Sequence, residues 1–286
     1  MKTAVPYSVA RRRSAGFTMM EIAICLAIIG IALVAIVGVL PYGLHAQRDN
    51  REESIIGADA SVLLDAIRSG AHGLDDLTNY VISITNVQSY YAGANASPTT
   101  NYYGFTAGAV TRNGAVFGAL SSLMLTNGAN IVGLMSTPAY VDLNYQPIYA
   151  YQPTTNLLQN GGYLNHILAY FYSLSGPAVE KPPQDNTLLR NGSLGYRVIA
   201  VNAPIALPPL GAAKSYAWQI GQNQRELRLT FTWPLLPTGV IGSSPNGSVT
   251  FRATIPGQLQ AGTNPAYLGW PYFYRPQFFI KDTNAP

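Results

Sequence analysis

Residues 22–40, IAICLAIIGIALVAIVGVL, run for 19 positions without a charge and are almost all apolar. As a helix rising 1.5 Å per residue, the run covers roughly 28 Å, close to the hydrocarbon thickness of a bilayer. Arg11, Arg12 and Arg13 flank its N-terminal side, so the positive-inside rule holds that end in the cytoplasm and places the rest of the chain outside. One residue is out of keeping with a plain anchor. Glu21 sits on the edge of the run. A carboxylate in a membrane helix costs roughly 2.5–3.5 kcal/mol on insertion scales and is normally paired and functional.

Two cuts are conceivable. A secretory signal has a core of about 7–15 residues followed by a small-x-small site. Here the core is longer, and the site after it, Leu44-His45-Ala46, opens on leucine. The other cut lies before the core, where Ser14-Ala15-Gly16 ends in glycine and Phe17 opens a helical pattern. The stretch GFTMMEIAICLAIIGIALVAIVGVLP resembles the class III signal of type IV prepilins and type II secretion pseudopilins. The resemblance implies cleavage by prepilin peptidase after Gly16, N-methylation of the new N-terminal Phe17, and a register-setting role for Glu21 as fifth mature residue. It also implies partners: the peptidase, membrane lipid before assembly, and other pilin or pseudopilin subunits through the N-terminal helix. The amine facing Glu21 is its own or a neighbour's.

Charge is consistent with a discarded leader. The formal net charge of +4 rests on Lys2 and Arg11–Arg13; residues 17–286 balance 13 Lys+Arg against 13 Asp+Glu. No basic stripe remains to follow a phosphate backbone, so no nucleic-acid partner is expected. Cys25, the single cysteine, lies in the apolar run and reads as a small apolar residue of a membrane helix.

Pro41 and Tyr42-Gly43 interrupt the apolar pattern, and a proline there is expected to kink a helix. Gly30, Gly38 and Pro41 read as points of local melting or bending; equally, the two glycines read as places that only allow close helix packing. Helical character resumes after Gly43. Ile55, Ile56, Val62, Leu63, Leu64 and Ile67 recur at mixed 3–4 spacing, the pattern of an amphipathic helix packing one face on a domain. Arg68-Ser69-Gly70 is a stop signal. From Phe17 to Ser69 a continuous helix spans ~80 Å.

Beyond Asp76 the composition changes. Only Arg112 and Asp142 are charged between Ser83 and Val179, while the whole chain holds 27 Gly, 20 Pro and 19 Tyr. Turn signals recur at Asn113-Gly114, Asn127-Gly128, Asn160-Gly161-Gly162, Asn191-Gly192 and Asn246-Gly247, between short β-branched and aromatic runs such as YVISITNV and GYRVIAVN. This is a β-rich domain with long loops. RELRLTFTWP and GSVTFRATIP alternate as half-buried strands, and LLPTGVIGSSPNG between them is long enough for a hairpin loop. GGYLNHILAYFYSLSG fits a strand or a short helix. WPYFYRPQFFIKD reads as a last strand or a covering flap. A strand ending in Thr230-Phe231-Thr232-Trp233, then a glycine-containing loop and another strand, is similar to the end of the head in I-type minor pseudopilins and V-type minor pilins. That similarity and the chain's size imply a minor, tip-associated subunit.

Catalytic signatures are missing: there is no Gly-x-Ser-x-Gly, His-Glu-x-x-His, phosphate loop or cysteine pair. His45, His72 and His166 are dispersed, and so are Asp142, Glu180, Asp185, Glu226 and Asp282. No cofactor, metal or catalytic residue is expected. The sequons at Asn191 and Asn246 read first as turns. The tyrosine-rich middle fits a low-charge secreted β-domain better than an adhesive surface. The expected architecture is α+β and pilin-like, a long N-terminal helix on an antiparallel β-rich head. Its parts are a cleaved leader (1–16), a transmembrane and filament-core helix (17–45), an amphipathic helix (46–70) and an extracytoplasmic head (71–286). The expected function is a structural and assembly subunit of a pilus or pseudopilus. It would be single-pass in the cytoplasmic membrane, with the filament in the periplasm or at the cell surface. The alternative is a signal-anchored surface binding or adhesion protein that does not polymerise.

Overall fold

The sequence splits its apolar residues between one unbroken run and many short alternating ones, and the architecture follows that split. The computed structural model describes residues 16–70, 75–93, 97–117, 125–148, 159–175, 193–205, 223–236, 238–242, 247–262 and 271–276. The chain divides into two compact units, Met1–Arg51 and Glu52–Pro286.

A single helix, α1 (Met19–Ser69), carries the first half of the pattern. It begins two residues later than the apolar pattern suggests, because Thr18 takes the capping position. It runs through Pro41 without ending, although the proline ring removes one backbone hydrogen bond there. Within the first unit every described residue from Gly16 to Asn50 is exposed. Within the second unit α1 buries Ile55, Ile56, Asp59, Ala60, Leu63, Ala66 and Ile67. That 3–4 spacing is one helical stripe, and each fully buried aliphatic side chain on it stabilises by roughly 1.5–3 kcal/mol. The helix stops where the sequence indicates. Arg68 lies in the last turn, and Gly70 takes φ +71, a left-handed cap. Glycine is needed there twice over, since a Cβ would lie 2.7 Å from the Tyr274 carbonyl oxygen.

A short 3-10 turn (Asp75–Asn79) leads into the sheet. Its strands are β1 (Val81–Tyr91), β2 (Thr99–Phe105), β3 (Val110–Arg112), β4 (Ala115–Val116), β5 (Tyr140–Val141), β6 (Gly162–Tyr172), β7 (Gly195–Pro204), β8 (Gln224–Trp233) and β9 (Gly247–Pro256). Their order is β4-β3-β2-β1-β6-β7-β8-β9, with β5 added beside β6. Every named pairing is antiparallel. A separate hairpin joins β10 (Gln258–Ala261) to β11 (Tyr272–Arg275). The architecture is therefore α+β and pilin-like.

Alternation along β8 puts Leu227, Leu229, Phe231 and Trp233 inside. The matching rows of β6 (Ile167, Ala169, Phe171) and β7 (Tyr196, Val198, Ala200) join them with Ile56, Ala60, Leu63 and Ile67 of α1 in one core. The ambiguous GGYLNHILAYFYSLSG stretch is a strand, β6, near the middle of the sheet. Its outward residues Leu164, Leu168 and Tyr170 are half-buried, which explains why its alternation was muted. Asn113-Gly114 is the expected turn: with φ of 50 and 84 it links β3 to β4 in two residues. Asn127-Gly128 is not a turn. Asn127 is the N-cap of α2 (Gly128–Met135), its side chain accepting the Ala129 N–H at 2.7 Å. The same short amide that makes a turn also caps a helix. Tyr272–Arg275 of the C-terminal run is a strand; residues 277–282 of it, like the Asn191 and Asn246 sequons, lie outside the described residues.

Candidate functional site

The expected processing end spans six residues, Gly16 to Glu21. Gly16 and Phe17 lie in non-helical chain ahead of α1, with Phe17 83% exposed. Nothing approaches within 4 Å of a Cβ placed at Gly16. The Gly16–Phe17 peptide thus sits outside the helical hydrogen-bond ladder and in open space. Thr18 then starts the helix, its carbonyl accepting the Ile22 N–H at 3.2 Å.

Thr18 and Glu21 cap the helix reciprocally. The Thr18 N–H donates to Glu21 Oε2 at 2.8 Å, and the Glu21 N–H donates to Thr18 Oγ1 at 3.3 Å. The Thr18 hydroxyl also reaches Glu21 Oε2, at 3.0 Å. This is a capping box, which satisfies two otherwise orphaned backbone donors, and a negative charge in the first turn also suits the helix dipole. Thr18 escaped the sequence reading, although Thr-x-x-Glu before an apolar run is its signature. Arg11, Arg12 and Arg13 lie outside the described residues.

The family model described as the prokaryotic N-terminal methylation motif matches residues 11–37. The chain carries a class III signal of the type IV pilin kind. That motif marks a type IV pilin- or pseudopilin-type precursor. Neither a curated protein nor a solved structure matches the chain. For a precursor of this kind the motif implies processing by prepilin peptidase and assembly with other pilins, and it points to a structural subunit rather than an enzyme. The apolar helix that follows is long enough to cross a membrane once.

The precursor's head is fastened by a second carboxylate that the sequence reading passed over. Asp59 is fully buried on the inward stripe of α1. Its Oδ2 accepts the Leu174 N–H at 2.9 Å and the Tyr196 hydroxyl at 3.0 Å. Its Oδ1 accepts the Ser175 N–H at 2.8 Å and the Ser175 hydroxyl. Burial pushes the Asp59 carboxyl above its ordinary range, and the four donors pull it back only in part. The clue in the sequence was its position, four residues from both Ile55 and Leu63.

Three tyrosines of the charge-poor middle, Tyr90, Tyr145 and Tyr163, pack on one another. Tyr145 stacks on Tyr163 at 4.8 Å with a hydroxyl–hydroxyl bond of 3.2 Å, and Tyr90 lies 5.2 Å from Tyr163. Tyr145 takes φ 59, its loop held by Asp142 Oδ1, which accepts the Asn144 and Gln146 N–H groups at 2.8 Å each. The Tyr272 hydroxyl closes on the Tyr145 carbonyl at 2.9 Å. Further along, Arg225 Nε and the Tyr274 hydroxyl both donate to Asn202 Oδ1, at 2.9 and 2.8 Å, in a buried network. His45 and His166 are exposed. His72, Glu180, Asp185 and Asp282 lie outside the described residues. Among the described residues no group of three or more His, Cys, Asp or Glu side chains is placed to hold a metal.

Proposed function

We propose that the precursor is cut by prepilin peptidase after Gly16, methylated on Phe17, and assembled through its N-terminal helix into a type IV pilus or type II secretion pseudopilus. The observation that carries this reading is the match of residues 11–37 to the methylation motif. The exposed Gly16–Phe17 peptide and the wholly exposed apolar surface from Ile22 to Leu40 support it. Residues 1–16 are the leader, 17–45 the membrane and filament-core part, 46–70 the amphipathic part and 71–286 a head outside the cytoplasm. The protein is a minor, tip-associated subunit, held in the cytoplasmic membrane before assembly and in a periplasmic or surface filament after it. Pro41 is the point at which the helix bends during extraction.

Glu21 sets the axial register. In the isolated subunit Thr18 occupies its carboxylate. Cleavage creates a cationic amine on Phe17, next to a backbone N–H that Glu21 already holds, and in the filament that amine or a neighbour's becomes its partner. The decisive experiment is mass spectrometry of the chain after co-expression with a prepilin peptidase. The expected mature N-terminus is methylated Phe17. An intact N-terminus overturns the reading in favour of a signal-anchored surface protein that does not polymerise. Glu21→Ala is expected to leave insertion and cleavage intact and to abolish incorporation into filaments, scored by shearing and immunoblotting.

A further inference from the structure

The last strand of the large sheet has an open side. β9 (Gly247–Pro256) pairs with β8 and, among the described residues, with nothing beyond it. Its register fixes what that open side offers. The Gly257 N–H donates to the Asn223 carbonyl at 2.8 Å, on either side of the Gln224–Pro256 pair, so that pair is a non-hydrogen-bonded one. Such pairs alternate with hydrogen-bonded ones along an antiparallel ladder. Glu226–Thr254, Arg228–Arg252, Thr230–Thr250 and Thr232–Ser248 are therefore of the same kind. The backbone N–H and C=O groups of Ser248, Thr250, Arg252 and Thr254 point away from β8, a row of four ladder positions that no other described strand fills.

Two further features point to an occupant. Val249, Phe251 and Ala253 are only half-buried, while the β8 residues opposite them, Phe231, Leu229 and Leu227, are fully buried. The apolar layer thus runs out under β9 with one row still partly uncovered. On the solvent side Arg228 and Arg252 stand directly opposite each other, where like charges are destabilising. Glu226 lies 3.6 Å from Arg228, and no carboxylate pairs with Arg252 among the described residues. Pairing β9 with β9 of a second copy would add further arginines to this spot. A strand with acidic residues on that face and apolar residues on the other would relieve the charge and cover the row.

We propose that the β9 edge takes up, as an added strand, an extended segment of another polypeptide in which apolar and acidic residues alternate. This contact is separate from assembly through the N-terminal helix, and its test is independent of how Phe17 is processed. The probe is a labelled, capped decapeptide of alternating valine and glutamate, titrated by fluorescence anisotropy into the full chain in detergent micelles. Binding is expected, and a valine–lysine peptide is expected not to bind. Arg252→Glu should weaken the acidic peptide by about tenfold or more and favour the lysine peptide. Thr250→Pro removes one outward N–H and keeps the backbone bonds to β8, losing the 2.9 Å hydroxyl contact with Thr230; it should abolish binding, whereas Thr250→Ala, which loses only that contact, should still bind. A valine–glutamate peptide N-methylated at alternate residues tests the same edge with no variant and should fail to bind. Absence of binding, equal affinity for both peptides, or undiminished binding of the N-methylated peptide overturns the proposal.

Discussion

Two carboxylates on one helix show how differently its two parts are specified. Glu21 is exposed and, among the described residues, bonds within its own first turn, to Thr18. Asp59 is buried and bonds to residues more than a hundred positions away, Leu174, Ser175 and Tyr196. The side chains around them differ in the same way. Leu26, Ile28, Ile31, Leu33 and Val34 are each more than half exposed, whereas Ile56, Ala60, Leu63 and Ile67 are sealed. The second stretch finds its apolar partners within the chain; among the described residues the first finds none. A helix apolar on every side with nothing packed on it is made for another apolar medium, lipid or the same helix of other subunits.

Substitutions on each stretch can break this contrast. The largest effect is expected from Asp59→Ala. It strands the Leu174 and Ser175 N–H groups and the Tyr196 hydroxyl inside the head, while the Ser175 hydroxyl can still turn to the Ile55 carbonyl at 3.2 Å. A loss of at least about 4 kcal/mol of unfolding free energy follows, read by urea titration of the full chain in detergent micelles with tryptophan fluorescence. Next comes a matched pair. Leu63→Ala should cost roughly 2–5 kcal/mol, whereas Leu33→Ala should leave the same urea curve unmoved; equal effects would dissolve the contrast. Thr18→Ala removes the cap and should cost about 1 kcal/mol locally, seen as faster hydrogen exchange at Met20 and Glu21 and nowhere in the head.

The smallest effect is one of pH. Burial holds the folded pKa of Asp59 above its ordinary value of 3.8. A carboxyl whose pKa is raised by folding stabilises the fold fully below the unfolded pKa and loses that contribution as pH rises through the folded one. Relative to Asp59→Asn, the native chain should thus lose stability from about pH 3.8 upward, measured as the difference between the two urea midpoints across a pH series. A difference that grows in the opposite sense would mean that the four donors outweigh burial.

Local chemistry was the readable part of this sequence. The class III signal, the stop at Arg68-Ser69-Gly70, the Asn113-Gly114 turn and the alternation of β8 and β9 each depend on residues within a few positions of one another. Thr18 was readable too, since its signature with Glu21 is local. Asp59 was not, because its donors come from Leu174, Ser175 and Tyr196 and only the closed sheet brings them to α1. The same holds for β6, where flanking strands half-cover the outward side chains, and for α2, whose capping asparagine uses the chemistry of a turn.

The left-handed stop at Gly70 closes against the Tyr274 carbonyl, and the Tyr274 hydroxyl reaches Asn202. The end of α1 therefore meets a strand made some two hundred residues later in synthesis. Synthesis delivers the helix well before β11, so for a time the growing head lacks the strand that covers this corner. Its closure is a late, long-range event, slow in the way contacts distant in sequence are slow. Until β11 is in place, the Asn202 side chain lacks the Tyr274 hydroxyl that completes its bond with Arg225.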